Sequence, residues 1–245
     1  MVLSIRRAIA LYGAMCCAIL MFGIAQASAM SVTPLALEMS ESEPGNKATL
    51  RVHNDGAAPI PVEINVSRLM LDEKGESRAE LVAGKFSIFP PQAVIAPGGT
   101  QSFQVRWLGG PGLQASESFL FSVNQLPIAF DSTKSGVQIV FNFSVLVNVS
   151  PAQSRAAVQL VSTSIVAKKP VIIVENSGSR FAMIGSATVV LTSGGWSKTL
   201  SGDQLREVLG GIGLVQPGKR RRFTLGMDIP PNISRFDAQV RLESK

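Results

Sequence analysis

The feature that most constrains this chain is a long apolar alternation between residues 137 and 149. Every second residue there is large and apolar: Val137, Ile139, Phe141, Phe143, Val145, Val147, Val149. Because successive side chains of an extended strand point to opposite faces, this period of two predicts a β-strand with one apolar face. The run is roughly twice the usual strand length, and Pro151 ends it. Either it is all core strand of a β-sandwich, or part of it serves a partner.

The first residues have the pattern of an export signal. Arg6-Arg7 precedes an apolar segment at residues 8–24, and Ala27-Ser28-Ala29 is a small-x-small cleavage site. We therefore expect a mature chain that starts at Met30 in a bacterial periplasm. A transmembrane anchor is the alternative for this segment, and no other segment approaches the ~20 apolar residues that a membrane span needs.

Cysteine content and charge exclude several classes of site. Cys16 and Cys17 both lie in the signal, so the mature chain has no disulfide, thiolate metal ligand or cysteine nucleophile. Loss of the two signal arginines lowers the formal charge from +6 to +4. The one basic cluster, Lys219-Arg220-Arg221-Arg222, is interpreted as the solvated start of a strand rather than a binding patch. Nucleic-acid binding would need basic residues concentrated on one face.

Short alternating stretches, separated by turns such as Asn54-Asp55-Gly56 and Asn176-Ser177-Gly178, continue through the mature chain, and helical periodicity is scarce. Before Pro151 we predict an edge strand at residues 31–39 and further strands at 48–53, 59–67, 86–89, 101–107, 119–123 and 137–149. After Pro151 we predict strands at 156–162, 171–174, 186–191, 195–200, 223–229 and 238–242, with one helical turn at 203–209. The pattern predicts an all-β protein with a signal peptide (1–29) and two immunoglobulin-like β-sandwich domains, 30–151 and 152–245.

The sequence contains no recognisable catalytic pattern. His53 is the one histidine and has no second histidine or cysteine with which to form a metal site. There is no nucleophile elbow, phosphate-binding loop or dinucleotide fingerprint. Acidic pairs such as Asp72-Glu73 lie in polar turns, where solvated carboxylates are normal. We therefore expect no enzyme activity, no cofactor and no metal.

Six short motifs occur in order along the mature chain. The motifs of the first domain are Val52-His53-Asn54 with Pro61-Val62-Glu63, Phe89-Pro90-Pro91, Ala96-Pro97-Gly98-Gly99-Thr100-Gln101 through Val105-Arg106-Trp107, and Glu117-Ser118-Phe119-Leu120-Phe121-Ser122-Val123 with Leu126-Pro127. Those of the second domain are Val174-Glu175-Asn176-Ser177-Gly178 and Val215-Gln216-Pro217-Gly218-Lys219. These motifs and their order resemble those of a known family, the periplasmic pilus-assembly chaperones. The long strand, which ends in Ser150-Pro151, lies where that family has its donor strand. The resemblance covers nearly the whole mature chain.

The resemblance implies a mechanism and a set of binding residues. Pilus subunits of this pathway lack their last strand, and the chaperone adds the last strand of its own first domain to the open groove. Two domains bent like a boomerang would then deliver the subunit to an outer-membrane usher. The side chains assigned to subunit binding are Val137, Ile139, Phe141, Phe143 and Val145. Val145 is also expected, with Val147 and Val149, to face the domain's own core.

The chain also departs from the common members of this family. Those members clamp the subunit's terminal carboxylate with an arginine in the first strand and a lysine in the donor strand, and the matching positions here are Ala36 and Leu146. The pattern therefore resembles more closely the chaperones of archaic and alternative pilus systems, including those related to spore-coat-protein-U-type pili. If a carboxylate is bound, Arg106 and Arg155 are the candidate anchors.

Two functions from other classes compete with this interpretation. A pilus subunit or surface adhesin would carry its donor segment at the N-terminus, before one incomplete domain. A secreted carbohydrate-binding module would expose aromatic residues, and the mature chain has only Trp107 and Trp196 and no tyrosine. The expected partners are pilus subunits and an usher, with no nucleic acid. An uncovered apolar strand also favours self-association of the unloaded protein.

Overall fold

A computed structural model describes residues 30–127 and 140–243 of the chain. The predicted signal peptide, Val137 and Ile139 lie outside the described residues. The described chain is almost entirely β-structure, in two β-sandwich domains, and the predicted fold class is confirmed. Within the described residues, no helix is long and apolar enough to cross a membrane.

The first domain is a sandwich of two sheets. One sheet has the order β1-β3-β8-β6, and the other has the order β2-β10-β9-β4-β5, with β7 also paired to β4. The strands are β1 (Met30–Thr33), β2 (Ala36–Ser40), β3 (Lys47–Asn54), β4 (Ile60–Leu71), β5 (Ser77–Leu81), β6 (Phe86–Phe89), β7 (Gln92–Ile95), β8 (Thr100–Trp107), β9 (Glu117–Gln125) and β10 (Asn142–Ser150).

Alternating side chains from both sheets fill the core of the first domain. On β8, Phe103, Val105 and Trp107 are all buried, as their spacing predicts. Phe86 sits at the centre of an aromatic cluster, with edge-on contacts to Trp107, Phe119 and Phe121 at ring-centroid distances of 5.1, 4.9 and 4.9 Å. In an edge-on contact, the positive edge of one ring faces the negative face of the other. This attraction stabilises the cluster in addition to the burial of its large apolar area.

The single strand predicted at residues 31–39 is instead two strands in two different sheets. β1 pairs antiparallel with β3, whereas β2 pairs parallel with β10. The break falls at Pro34, which has no N–H to donate to a sheet ladder. Both halves are edge strands, so the prediction of an edge position is confirmed. This sheet switch places β2 beside β10.

The second domain has three smaller sheets, β11-β12-β17, β15-β14-β18 and the two-stranded β13-β16. Its strands are β11 (Val158–Val166), β12 (Lys169–Asn176), β13 (Ala182–Met183), β14 (Ala187–Ser193), β15 (Trp196–Leu200), β16 (Leu214–Val215), β17 (Lys219–Thr224) and β18 (Asp237–Leu242). The predicted helical turn is helix α1 (Gly202–Leu209), whose Leu205 and Leu209 are buried.

Each domain contains a fully buried asparagine that holds a turn in the same way. The side-chain NH₂ of Asn54 donates to the carbonyls of Ala58 and Ile95, and its Oδ1 accepts the N–H of Gly56. In the second domain, Asn176 donates to two carbonyls and accepts the N–H of Gly178. Both Asn-x-Gly turns were predicted from the sequence, and their buried amides explain why asparagine occupies the first position.

An apolar cluster joins the two domains. Leu69, Leu71 and Leu146 of the first domain pack with Phe181 and Leu214 of the second. Because β10 contributes Leu146 to this cluster, the long strand contacts both domains. The burial of these side chains favours a defined position of one domain against the other.

Hydrogen bonds reinforce this joint. The side-chain amide of Gln216 binds the backbone of β4, donating to Leu69 O at 2.8 Å and accepting from Leu71 N at 3.0 Å. Two backbone bonds also cross between the domains, from Ser116 N to Ser179 O and from Arg222 N to Glu73 O. The amide of Gln216 therefore pairs with β4 much as a neighbouring strand would.

The basic cluster at residues 219–222 is only partly as predicted. It does begin a strand, β17, but that strand ends at Thr224, not at residue 229. Arg221 is not solvated: it is 95% buried, donates to the carbonyls of Leu214 and Ile212, and lies over the ring of Phe223. Burial lowers the pKa of its guanidinium. The sequence prediction missed this because the burial depends on contact between the domains.

Gly75 closes over this arginine from the first domain. Its φ is +92°, and a Cβ there would lie 2.6 Å from Nη2 of Arg221. Only glycine fits both the backbone conformation and the close approach. The turn between β4 and β5 is thereby packed directly against the second domain.

Candidate functional site

The candidate site is built on β10, because the two edges of this strand are paired over different lengths. On one edge, β10 pairs antiparallel with β9 from Asn142 to Val149. On the other edge, β2 pairs only with the stretch from Leu146 to Ser150, and Leu146 N donates to Leu35 O at 3.0 Å. Among the described residues, no strand pairs with that edge of β10 between Asn142 and Val145.

The backbone groups of Asn142 and Ser144 point to this open edge. Leu146 donates its N–H toward β2, and backbone groups two residues apart on a strand point in the same direction. The carbonyl of Phe141 instead accepts the N–H of Gln125 at 3.0 Å, on the β9 side. The open edge thus presents regularly spaced N–H and C=O groups that an added strand could pair with.

Along the apolar face of β10, burial rises steadily toward the C-terminal end. Phe141 and Phe143 pack against the core of the first domain and are only half-buried, whereas Val145, Val147 and Val149 are fully buried within it. Of the five side chains predicted to bind a subunit, Phe141 and Phe143 lie beside the open edge. Val145 belongs to the domain core, as was also expected for it. Val137 and Ile139 are outside the described residues.

The opposite face of β10 changes from exposed to buried after Ser144. Asn142 and Ser144 are exposed, whereas Leu146, Asn148 and Ser150 are buried toward the second domain. The polar groups there are satisfied: the Ser118 hydroxyl donates to Asn148 Oδ1 at 2.7 Å, and the hydroxyls of Ser150 and Ser116 lie 2.8 Å apart. One half of the strand is therefore covered on both faces, and the other half is open.

The two positions predicted to lack the carboxylate clamp lie next to each other. Ala36 and Leu146 are direct neighbours in the register of β2 and β10. Neither side chain carries a charge, and Leu146 is part of the apolar cluster between the domains. The position that these two residues share is therefore uncharged.

The two candidate anchors lie in different parts of the molecule. Arg106 is on β8, in the sheet opposite β10, and its Nη2 lies 3.3 Å from Glu43 Oε1. A hydrogen bond from Lys47, with the charges of Lys47 and Arg106, lowers the pKa of the Glu43 carboxyl. Arg155 instead lines a cleft of about 590 Å³, together with Glu38 of β2 and Phe181.

A third arginine, Arg180, lines the same cleft and was not singled out from the sequence. Its Nη2 lies 3.3 Å from Glu38 Oε2, and Glu38 is the register partner of Asn148 on β10. Arg180 lies two residues after the Asn-x-Gly turn of the second domain. No local pattern marks it, because its position depends on how the two domains meet.

The described residues contain no group of three or more histidine, cysteine, aspartate or glutamate side chains that could hold a metal ion.

Comparison with known families agrees with this arrangement. The family profile described as pili and flagellar-assembly chaperone, PapD N-terminal domain, matches residues 29–155, just over half of the chain. The chain belongs to the pili and flagellar-assembly chaperone family. The matched segment ends just after β10, so it includes the open edge. No curated protein sequence matches this chain.

Solved structures of fimbrial chaperones share the fold at low sequence identity. A crystal structure of the class 5 fimbriae chaperone CfaA has a TM-score of 0.55 at 13% identity, and the match covers 88% of this chain and 100% of that chain. The complex of SafA pilin with the SafB chaperone from Salmonella enterica has a TM-score of 0.54 at 14% identity, with coverages of 82% and 86%.

The third similar structure is the CsuC–CsuE chaperone–tip adhesion subunit complex of archaic Csu pili from Acinetobacter baumannii. Its TM-score is 0.53 at 12% identity, and the match covers 83% of this chain and 94% of that chain. At such identities the likeness shows the two-domain fold that this chaperone family shares. The family resemblance inferred from the sequence motifs is confirmed by the family profile.

Proposed function

We propose that this family member is a periplasmic chaperone that binds pilus subunits by donating β10 to them and delivers them to an outer-membrane usher. The observation that carries the proposal is the open edge of β10 between Asn142 and Val145. An exposed, regular strand edge favours pairing with another chain. In strand addition, backbone bonds supply affinity and alternate side chains supply specificity.

The apolar side chains beside this edge supply the second part of the interaction. Phe141 and Phe143 are half-buried in the free protein, so each retains apolar surface that a subunit groove can cover. Full burial of a phenylalanine contributes roughly 1.5–3 kcal/mol, and the surface already covered reduces that gain. We propose that Val137 and Ile139 extend the same face toward the subunit, and that Val145 supports the edge from within the core.

The covered half of β10 has a role in this function. An isolated strand would lose much conformational entropy when a partner ordered it. Here the strand is held by β9, β2 and the second domain along Leu146–Ser150. Because the Leu146–Ser150 half is fixed, it keeps the open half of the strand extended. A subunit therefore binds an edge that is already ordered, and less conformational entropy is lost on binding than with a flexible segment.

Any anchoring of a subunit carboxylate is assigned to the cleft between the domains. Arg155 and Arg180 line this cleft beside Glu38, whereas Arg106 lies on the opposite sheet and is paired with Glu43. Of the two anchors predicted from the sequence, we therefore favour Arg155. The proposed activity requires no bond-breaking chemistry, and we propose no enzymatic reaction, cofactor or metal.

The proposal is tested by co-purification from periplasm with the pilus subunit of the same gene cluster. The variant Phe141→Asp/Phe143→Asp introduces two charges beside the open edge. Val94→Asp is the matched control, because Val94 is 71% exposed on β7 and lies away from β10. We expect the wild type and the control to retain the subunit and the double variant to lose it.

Folding of the double variant is checked by circular dichroism and thermal melting, because both phenylalanines also contact the core. Recovery of the subunit by a folded double variant, or failure of the wild-type chain to bind it, would refute strand donation by β10.

A further inference from the structure

We propose that Leu35 is a further subunit-binding residue, which contacts an apolar residue at the end of the strand added to β10. This inference rests on the proposed function and deepens it. Leu35 lies between β1 and β2, outside both strands, and its side chain is 57% exposed. A single exposed leucine needs no explanation, so the argument depends on its position.

The first step is that an added strand and β2 must share one edge of β10. β2 occupies that edge along Leu146–Ser150, and the open part runs along Asn142–Val145. A strand that fills the open part therefore lies end to end with β2. Whichever direction the added strand runs, one of its ends meets the start of β2.

Leu35 is the residue at that junction. Its carbonyl accepts the N–H of Leu146 at 3.0 Å, which is the bond next to the open edge. Because neighbouring residues along a strand are about 3.3 Å apart, the end of an added strand lies within side-chain reach of Leu35. Val140 precedes the open stretch at its other end and is 46% exposed. Exposed apolar side chains therefore lie at both ends of the open edge.

The surroundings of Leu35 define the chemistry of the residue it contacts. Ala36 and its register partner Leu146 are uncharged, and the nearest acidic residue of β2, Glu38, is already paired with Arg180. A charged side chain at the end of the added strand would gain no partner from these residues and would lose water. We therefore expect an aliphatic or aromatic residue at that end.

The proposal is tested with the purified subunit of the same gene cluster and four single-site variants. Leu35→Asp and Leu81→Asp are compared by the rate at which the complex dissociates. Leu81 is the matched control, because it is 80% exposed on β5, which ends the same sheet on its far side. Leu35→Cys and Leu81→Cys each carry a polarity-sensitive fluorophore, and both cysteines of the natural sequence lie in the predicted signal.

We expect Leu35→Asp to dissociate about tenfold faster than the wild type, which corresponds to about 1.4 kcal/mol. Leu81→Asp should behave as the wild type. Fluorophore emission should shift to shorter wavelength on subunit binding at position 35 only, which reports proximity and not merely folding. If the thermal melt of Leu35→Asp is not native, Leu35→Ser is judged by the same criteria.

Unchanged dissociation of the folded variant, or an unshifted label at position 35, overturns the role of Leu35. If a folded Phe143→Asp variant, measured beside these four, loses subunit binding, strand donation nevertheless stands. If the wild-type chain binds no subunit, the proposed function and this inference both fail.

Discussion

At the residue scale, the side-chain amide of Asn176 is fully buried and makes four hydrogen bonds. It donates to the carbonyls of Arg180 and Val215 and accepts N–H groups from Ala157 and Gly178. These hydrogen bonds tie one turn to three other parts of the domain. Asn54 has the equivalent role in the first domain, with three such bonds.

We predict that Asn176→Ala lowers the free energy of unfolding by about 3 kcal/mol, because it leaves several buried backbone groups without partners. Ser177→Ala is the control: its hydroxyl makes one exposed bond, to Ala157 O, so the expected loss is below about 0.5 kcal/mol. Urea denaturation followed by circular dichroism measures both. Equal losses for the two variants would contradict the role assigned to the buried amide.

Arg221 and Arg220 are neighbours in sequence with opposite environments. We predict that Arg221→Ala lowers the free energy of unfolding by about 2–3 kcal/mol, because it opens a cavity and deprives two carbonyls of their donor. Arg220 is exposed and forms an ion pair with Glu175, so Arg220→Ala should cost less than about 1 kcal/mol. Urea denaturation measures the loss of unfolding free energy for both variants. A larger loss for Arg220→Ala than for Arg221→Ala would show that Arg221 is not buried as described.

The contrast between these two arginines shows the limit of sequence-based prediction at this scale. The turns at Asn54 and Asn176 follow from local Asn-x-Gly chemistry and could be predicted. The burial of Arg221 depends on Gly75 and on the second domain's contact with β4. Both lie far from Arg221 in sequence. No local pattern of Lys219-Arg220-Arg221-Arg222 distinguishes its third residue from the others.

At the element scale, β10 is one strand with two environments. The alternation of its sequence predicted a single apolar face, and the structure shows that the face is buried in one half and half-open in the other. Periodicity reports which residues share a face but not which partner covers them. The end of β2's pairing at Leu146, which creates the open edge, follows from the sheet switch at Pro34.

We predict an alternating pattern of amide hydrogen exchange along the open half of β10 in the free protein. The N–H groups of Asn142 and Ser144 face the open edge and should exchange at least about tenfold faster than those of Phe143 and Val145, which face β9. Amide-resolved exchange by NMR tests this. Uniform protection from Asn142 to Val145 would mean that something already covers the edge.

The strands with strong alternation, such as β3, β8 and β9, could be predicted from the sequence. The short strands β5, β7, β13 and β16 were missed, because five or fewer residues with few large apolar side chains carry little periodic signal. β5 is exposed at every position, so its sequence lacks the apolar face that the prediction requires.

At the scale of the whole molecule, the two domains are joined by an apolar cluster and by the side chain of Gln216. We predict that Gln216→Ala broadens the range of distances between the domains, because Leu69 O and Leu71 N lose a shared partner. Spin labels attached at Ser102→Cys and Lys198→Cys report the distribution of this distance, which is measured by double electron–electron resonance. Gln159→Ala, at an exposed position of β11, is the control and should leave the distribution unchanged.

An unchanged distribution in Gln216→Ala would mean that the apolar cluster and the backbone bonds between the domains set the joint without Gln216. The number of domains and their sandwich class could be predicted from the turn spacing and chain length. The contact between the domains could not be predicted from the sequence. It is made by single residues, such as Gln216, Ser116 and Phe181, and the sequence around them has no pattern that marks an interface. The same holds for Arg180, whose position in the cleft depends on this joint.

The most direct test of strand donation is amide hydrogen exchange of β10 with and without the bound subunit from the same gene cluster. We predict that the N–H groups of Asn142 and Ser144 become protected on binding by at least about tenfold, because an added strand accepts their hydrogen bonds. Amides of β5, the exposed strand at the far side of the same sheet, should not change. A bound subunit that leaves Asn142 and Ser144 exchanging freely would contradict the account.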